Sequence, residues 1–236
     1  MPPQALVFTR QGVLYISEPE KKDRVGTALW ISSDDIFKIK LSLILLYGKL
    51  EIWGNQDAQV SKLEIEYNTV AHHLLAPILR QLIRKTWQKN SRNTANHPQD
   101  ASFGMFEYIS YSFYNGLTIE AIQPDEKVLG YVYQPEIRKP LLKVFYRKVF
   151  PQFVLALTDR QLILLQQDLK FKTHHEWIFT FIPLYRVQPL DLEAFEEWMK
   201  LTIHLLPESI QQKLEILLDA QNAEKWNHTW KGVFGT

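Results

Sequence analysis

Leu63, Ile65 and Tyr67 alternate with Lys62, Glu64 and Glu66, the period of a strand with one buried face. Directly after them, Val70, Leu74, Leu75, Ile78, Leu79, Leu82 and Ile83 recur at helical spacing. Residues 62–87 therefore predict a strand that runs straight into an amphipathic helix. Asn68 is placed to cap that helix, and Pro77 inside it predicts a local kink. The same order returns near the other end. Met199, Leu201, Ile203 and Leu205 alternate with Lys200, Thr202 and His204. Ser209, Ile210, Leu214, Leu217, Leu218 and Trp226 then read as a capped helix, so residues 198–226 predict a second copy. The last ten residues read as a frayed tail.

Between these copies the pattern is mostly that of strands. Residues 5–9 and 12–17 flank Arg10-Gln11, and 26–32 form a third strand after a charged loop. Ile39, Leu41, Leu43 and Leu45 keep period two, and Gly48-Lys49 predicts the hairpin turn before residues 50–54. Residues 88–102 hold no large aliphatic or aromatic side chain. Such a stretch cannot offset its chain entropy by burial, so 89–102 reads as a polar linker. Met105, Ile109 and Phe113 predict a short docking helix. Strands follow at 127–137, at 153–158 and 161–167 around Asp159-Arg160, and over 177–192, where Pro183 and Pro189 limit them. Helix-favouring residues at 192–198 leave the start of the next strand open.

Composition narrows the class. The chain has 236 residues, 46% of them hydrophobic and 13% aromatic, ample for a packed core. Twenty-seven basic against 26 acidic residues give a net charge of +1, which disfavours a nucleic acid footprint. There is no cysteine, which excludes disulfides and cysteine zinc sites. The longest apolar run, 43–47, is far short of the roughly 20 residues of a membrane-spanning helix. The N-terminus lacks a signal-peptide pattern. A soluble cytoplasmic protein is the expectation.

Hairpins followed by one terminal amphipathic helix is the order of a pleckstrin-homology-like (PH-like) domain. Ala156, Leu157, Thr158, Asp159, Arg160, Leu162, Ile163, Ile182, Pro183, Leu184 and Val187 resemble the hairpin and following strand of bacterial members of that group. The likeness covers roughly 125–226; residues 5–87 match only in element order. It implies an α+β fold of two tandem PH-like domains, each a bent antiparallel β-sandwich or barrel closed by a C-terminal helix. The first would span 1–88, and the second 103–236 with its docking helix. It also implies loop-borne binding of lipid headgroups, peptides or proteins without catalysis. Fold alone does not select among them.

The strongest charge feature is 138–148, where Arg138, Lys139, Lys143, Arg147 and Lys148 interleave with apolar residues and no acid intervenes. Such a segment can lie on an anionic membrane; the plainer reading is an inserted helix or strand with solvated cations. Arg80, Arg84, Lys85, Lys89 and Arg92 fall in a stretch with no acid; the helix dipole accounts for Arg84, Lys85 and Lys89 near the helix C-terminus, and nucleic acid binding through this helix would use Trp87 as a stacking candidate. The adjacent pairs His72-His73 and His174-His175 lack the i, i+4 spacing of helical metal ligands. Glu193, Glu196 and Glu197 form an acidic cluster in an amphipathic turn. Phe106, Tyr108, Tyr111 and Tyr114 cannot all lie on one helical face, so at least one is expected outward. No nucleophile elbow, phosphate loop or dinucleotide motif is present.

The expectation is a non-catalytic binding or scaffolding protein of the bacterial cytoplasm, peripheral at the membrane if the basic segment binds lipid. It needs no cofactor or metal. Its partner is a protein or an anionic lipid surface, and free strand edges make self-association easy. The competing expectation is a small hydrolase on an α+β fold with a site assembled from dispersed residues.

Overall fold

In a computed structural model, residues 3–19, 25–56, 59–88, 97–142, 145–171, 174–206 and 212–235 are described, with the side chains of 88, 140–142, 145–148, 168–171, 174–175 and 189 left aside. Strands β1 (Gln4–Phe8), β2 (Gly12–Ser17) and β3 (Thr27–Ser32) form an antiparallel sheet in that order. A 3-10 turn, Ser33–Asp35, leads to β4 (Ile36–Ile44), β5 (Tyr47–Gln56) and β6 (Gln59–Tyr67), and then to helix α1 (His72–Gln88). After the linker come α2 (Phe106–Ile109), α3 (Tyr111–Asn115) and a π-helical turn, Gly116–Ala121. Strand β7 (Val128–Gln134) follows, then a separate hairpin of β8 (Ile137–Leu142) and β9 (Phe145–Phe150). The remainder is β10 (Gln152–Thr158), β11 (Gln161–Phe171), β12 (His174–Pro183), a 3-10 turn at Leu184–Arg186, β13 (Val187–Phe195), β14 (Trp198–Leu205), β15 (Lys213–Leu218) and α4 (Ala220–Phe234). The fold is α+β, its paired strands antiparallel, and the described residues form no closed barrel.

One order of elements occurs twice: a hairpin, a third strand, a 3-10 turn, a three-stranded meander, a helix. It is β1–β6 with α1, and again β10–β15 with α4. The two hairpin turns share their hydrogen bonds. Thr9 Oγ1 accepts from the Gly12 amide at 3.1 Å and donates to the Gly12 carbonyl at 3.0 Å. Thr158 Oγ1 does the same with Gln161, at 2.9 and 3.1 Å. Each turn also anchors its own 3-10 turn, through Ser33 N to Gln11 O at 2.8 Å and Leu184 N to Arg160 O at 2.9 Å. The second copy has one strand more, because β7 lies antiparallel against β10.

The linker does not divide the sheets. A seven-stranded sheet in the order β6-β5-β4-β12-β11-β10-β7 takes strands from both sides of residues 89–102, joined where β4 pairs β12, with Leu41 opposite Phe179. The runs 153–157 and 162–165 are apolar throughout because this part of the sheet is covered on both faces. Val154, Ala156, Ile163 and Leu165 join one core with Phe103, Phe106, Phe113 and Leu117 of the 103–121 segment. Phe153, Leu155, Leu157, Leu162 and Leu164 join the other, closed by β13–β15 and by Trp226 and Trp230 of α4.

Several expectations need correction. The turn before β5 falls at Leu45-Leu46, not Gly48-Lys49, and Ile44 pairs with Tyr47. Gly48 instead lies under the Tyr67 ring, which would stand 2.4 Å from an added Cβ. The second strand-to-helix junction is β15 into α4, not β14 into a helix. Residues 213–218 are a strand, and the helix starts at Ala220 with Asp219 Oδ1 accepting from the Asn222 amide at 2.7 Å. Ser209, its expected cap, lies outside the described residues. The expected tail is helical to Phe234, with Trp230 buried. The docking segment is broken at Ser110, where φ is −155°, so Met105 and Ile109 are exposed while Phe103, Phe106, Phe113 and Leu117 turn inward. Tyr108 and Tyr111 face outward, and Phe106 is fully buried.

Candidate binding site

The basic segment 138–148 is the β8–β9 hairpin. The register sets Lys148 opposite Arg138 and Arg147 opposite Lys139. Adjacent strand positions alternate in face, so these four positions divide between the two faces of the ribbon. Arg138 pairs with Glu136, and Lys139 pairs with Glu196. Two of the five cations thus have carboxylates beside them. Lys143 lies outside the described residues, as do the side chains of Arg147 and Lys148. Glu193 of the acidic cluster pairs with Lys200.

Two cations of α1 also have local partners, while Lys85 lines a cavity against β1. Arg80 donates to the Ile119 carbonyl at 2.6 Å, and Arg84 lies 3.5 Å from Asp125. Lys89 and Arg92 lie outside the described residues. Trp87 is in the core, which removes it as a stacking platform. His72 bridges two elements, with Nδ1 2.9 Å from the Tyr67 hydroxyl and Nε2 3.2 Å from Glu120 Oε2. That chain fastens the π-helical turn to β6 and α1. The hydrogen bond from His72 holds Glu120 below the usual carboxylate range, and burial pushes Tyr67 up to about 12. His73 Nδ1 meets its own helix at the Val70 carbonyl, 2.8 Å away. The side chains of His174 and His175 lie outside the description. Among the described residues, no group of three or more His, Asp or Glu side chains is placed to hold a metal ion.

The residues of the family resemblance have structural duties. Asp159 Oδ1 accepts from the Lys127 amide at 3.0 Å. Arg160 reaches Asp125 at 3.0 Å and so keeps that carboxyl ionised to lower pH. Gln161 donates to both oxygens of Glu126, at 3.0 and 2.8 Å, and the Gln123 amide adds a bond at 2.9 Å. Burial nevertheless pushes Glu126 up to about 7. These groups lock the start of β7 onto the hairpin turn.

An open apolar surface lies on the first copy, while the second carries a more polar cavity of about 820 Å³ along α4 and β7, lined by Asp100, Tyr131, Asn222, Lys225 and His228 among others. Leu79, Leu82, Ile83 and Trp87 of α1 are buried, but Val70 is 70% exposed, Leu74 64% and Ile78 40%. Their spacing of four puts them on one stripe. Beside them the β4–β5 turn presents Leu45 and Leu46, held there by Thr69 Oγ1 donating to the Leu45 carbonyl at 2.7 Å. Two cavities continue this surface between α1 and β1. One of about 270 Å³ is lined by Leu6, Phe8, Tyr67, Leu74, Leu75 and Ile78, among others. The other, about 640 Å³, runs along Leu6–Arg10 and is closed by Ile78, Gln81 and Lys85. The sequence hid this surface because Val70, Leu74 and Ile78 read as part of the core stripe. Seven apolar positions over about three and a half turns match the three to four per two turns of an ordinary buried face, so the pattern alone carried no signal of the exposed stripe.

No protein-family model matches the chain, and no curated protein is significantly similar to it. No described helix is long and apolar enough to cross a membrane.

Proposed function

We propose that this chain is a non-catalytic binding protein built of two PH-like units, 1–88 and 103–236, that recognises a protein partner through the first of them. The PH-like reading rests on the order of strands ending in an amphipathic helix, present twice. The function rests on one observation: an apolar stripe of α1 lies exposed beside an apolar cavity. Exposed apolar surface of this kind marks interaction sites more often than chance scatter does. The anionic-lipid reading has less support, since Arg138 and Lys139 already sit against carboxylates.

The test is to pan a displayed random-peptide library against the wild-type protein and against a Leu74→Glu, Ile78→Glu variant. Enriched peptides should bind the wild type and lose at least tenfold on the variant. Peptides indifferent to the variant, or salt-sensitive sedimentation with anionic vesicles as the only binding found, would contradict the reading.

A further inference from the structure

The two copies differ at one edge. In the second, β10 is covered by β7, with Leu155 opposite Val132 and Leu157 opposite Gly130. The covering strand is also held by α4. Asn222 Nδ2 donates to the Tyr133 carbonyl at 2.9 Å, Lys225 lies 4.0 Å over the Tyr131 ring, and Gly130 admits Thr229 at close range. In the first copy, among the described residues, β1 pairs with β2 alone. Thr9 N donates to Gly12 O and Glu18 N to Pro3 O. The antiparallel pattern then bonds Ala5 and Val7 to β2 and turns the amides and carbonyls of Gln4, Leu6 and Phe8 to the free side. That side is the groove under α1. There Ile78, Gln81 and Lys85 repeat the i, i+3, i+7 spacing by which Asn222, Lys225 and Thr229 meet β7.

The geometry points to strand addition: the groove takes an extended peptide that pairs antiparallel with β1, as β7 does with β10. This rests on the reading of the chain as a binding protein and names its partner's chemistry. Residues opposite Leu6 and Phe8 share their face and enter the apolar cavity, so the peptide carries apolar side chains at alternate positions. Its N-terminal end carries an acid. In the second copy Asp125, just before β7, is held by Arg160 of the hairpin turn. In the first copy Gln11 stands at the place of Arg160, and the turn's cation is Arg10, one position earlier, with Lys85 across the groove and no carboxylate among the described lining residues. Strand addition draws affinity from the main chain and specificity from alternate pockets, so partners of varied sequence share one geometry.

The test uses the full chain and the fluorescent peptide acetyl-Asp-Glu-Thr-Val-Thr-Tyr-Thr-Val-amide. Two isomers carry backbone N-methyl groups, one on Val, Tyr and Val, the other on the three Thr. In the proposed pairing the apolar residues direct their amides at β1, so the first isomer should bind at least tenfold more weakly than the parent. The second should bind like the parent. Arg10→Glu should weaken the parent about threefold, the scale of an exposed ion pair, and favour a peptide that starts Lys-Lys. Equal binding of both isomers, with loss in Leu74→Glu, Ile78→Glu, would overturn strand pairing and leave the apolar docking face standing. Failure of all three peptides to bind would overturn the proposal, while the library result stands or falls separately. Sedimentation of the free protein reports a second copy in the groove: a dimer that the parent peptide cannot dissociate would also overturn it.

Discussion

The two copies of the repeat share a turn, a 3-10 anchor and a terminal helix, yet the outer edge of the hairpin is covered in one and, among the described residues, open in the other. Helix α4 meets a strand at β7; α1 meets a groove. The difference shows how one architecture serves as scaffold in one place and as surface in another. Covering β10 satisfies its outer amides, whereas leaving β1 bare keeps a row of backbone groups available.

The largest effect should come from exchanging the two helix faces. Trp226→Ala empties a fully buried site and should cost about 3–5 kcal/mol in chemical denaturation. Ile78→Ala, on the face of α1 that meets the groove, should cost well under 1 kcal/mol, because much of its surface is already in water. Similar losses would mean that α1 is as covered as α4. Gly130→Val comes next. An added Cβ there would stand 2.3 Å from Thr229 Cγ2, so α4 must lift from β7, at roughly 1–3 kcal/mol.

Glu126 gives a pH-dependent effect confined to the closed copy. Its folded pKa of about 7 lies above the ordinary 4.5, so it contributes stability below pH 4.5 that is lost as pH rises towards 7. Glu126→Gln should therefore be more stable than wild type at pH 8, by on the order of 2 kcal/mol, with the gap shrinking towards pH 4. A gap that does not change with pH would contradict the burial of that carboxylate. The smallest effect separates the twin threonines. Thr158→Val leaves the buried Gln161 amide unpartnered and should cost about 1–3 kcal/mol; Thr9→Val, at a solvent-exposed turn, should cost about 0.5–1 kcal/mol. Equal costs would show that the two turns are equally buried.

Strands with one wet face were legible in the sequence, since Leu63, Ile65 and Tyr67 keep strict alternation. So was the hairpin at Asp159-Arg160. Residues 213–218 were not, because Leu214, Leu217 and Leu218 also fit helical spacing and their Glu and Lys neighbours favour a helix; only pairing with β14 makes them a strand. Met105, Ile109 and Phe113 failed as a stripe because the chain leaves the helix at Ser110, a break that no proline or glycine announces. The groove was the least legible part. It depends on which strand is missing beside β1, a fact of sheet order, and sequence periodicity reports faces but not edges.

The most direct measurement is residue-resolved amide hydrogen exchange of β1 beside β10. The account predicts fast exchange at Leu6 and Phe8, protection at Ala5 and Val7, and protection at both Leu155 and Leu157, whose amides face β7. Equal protection of Leu6, Val7 and Phe8 in the free monomer would mean that the edge of β1 is already filled, and the open-groove account would be wrong.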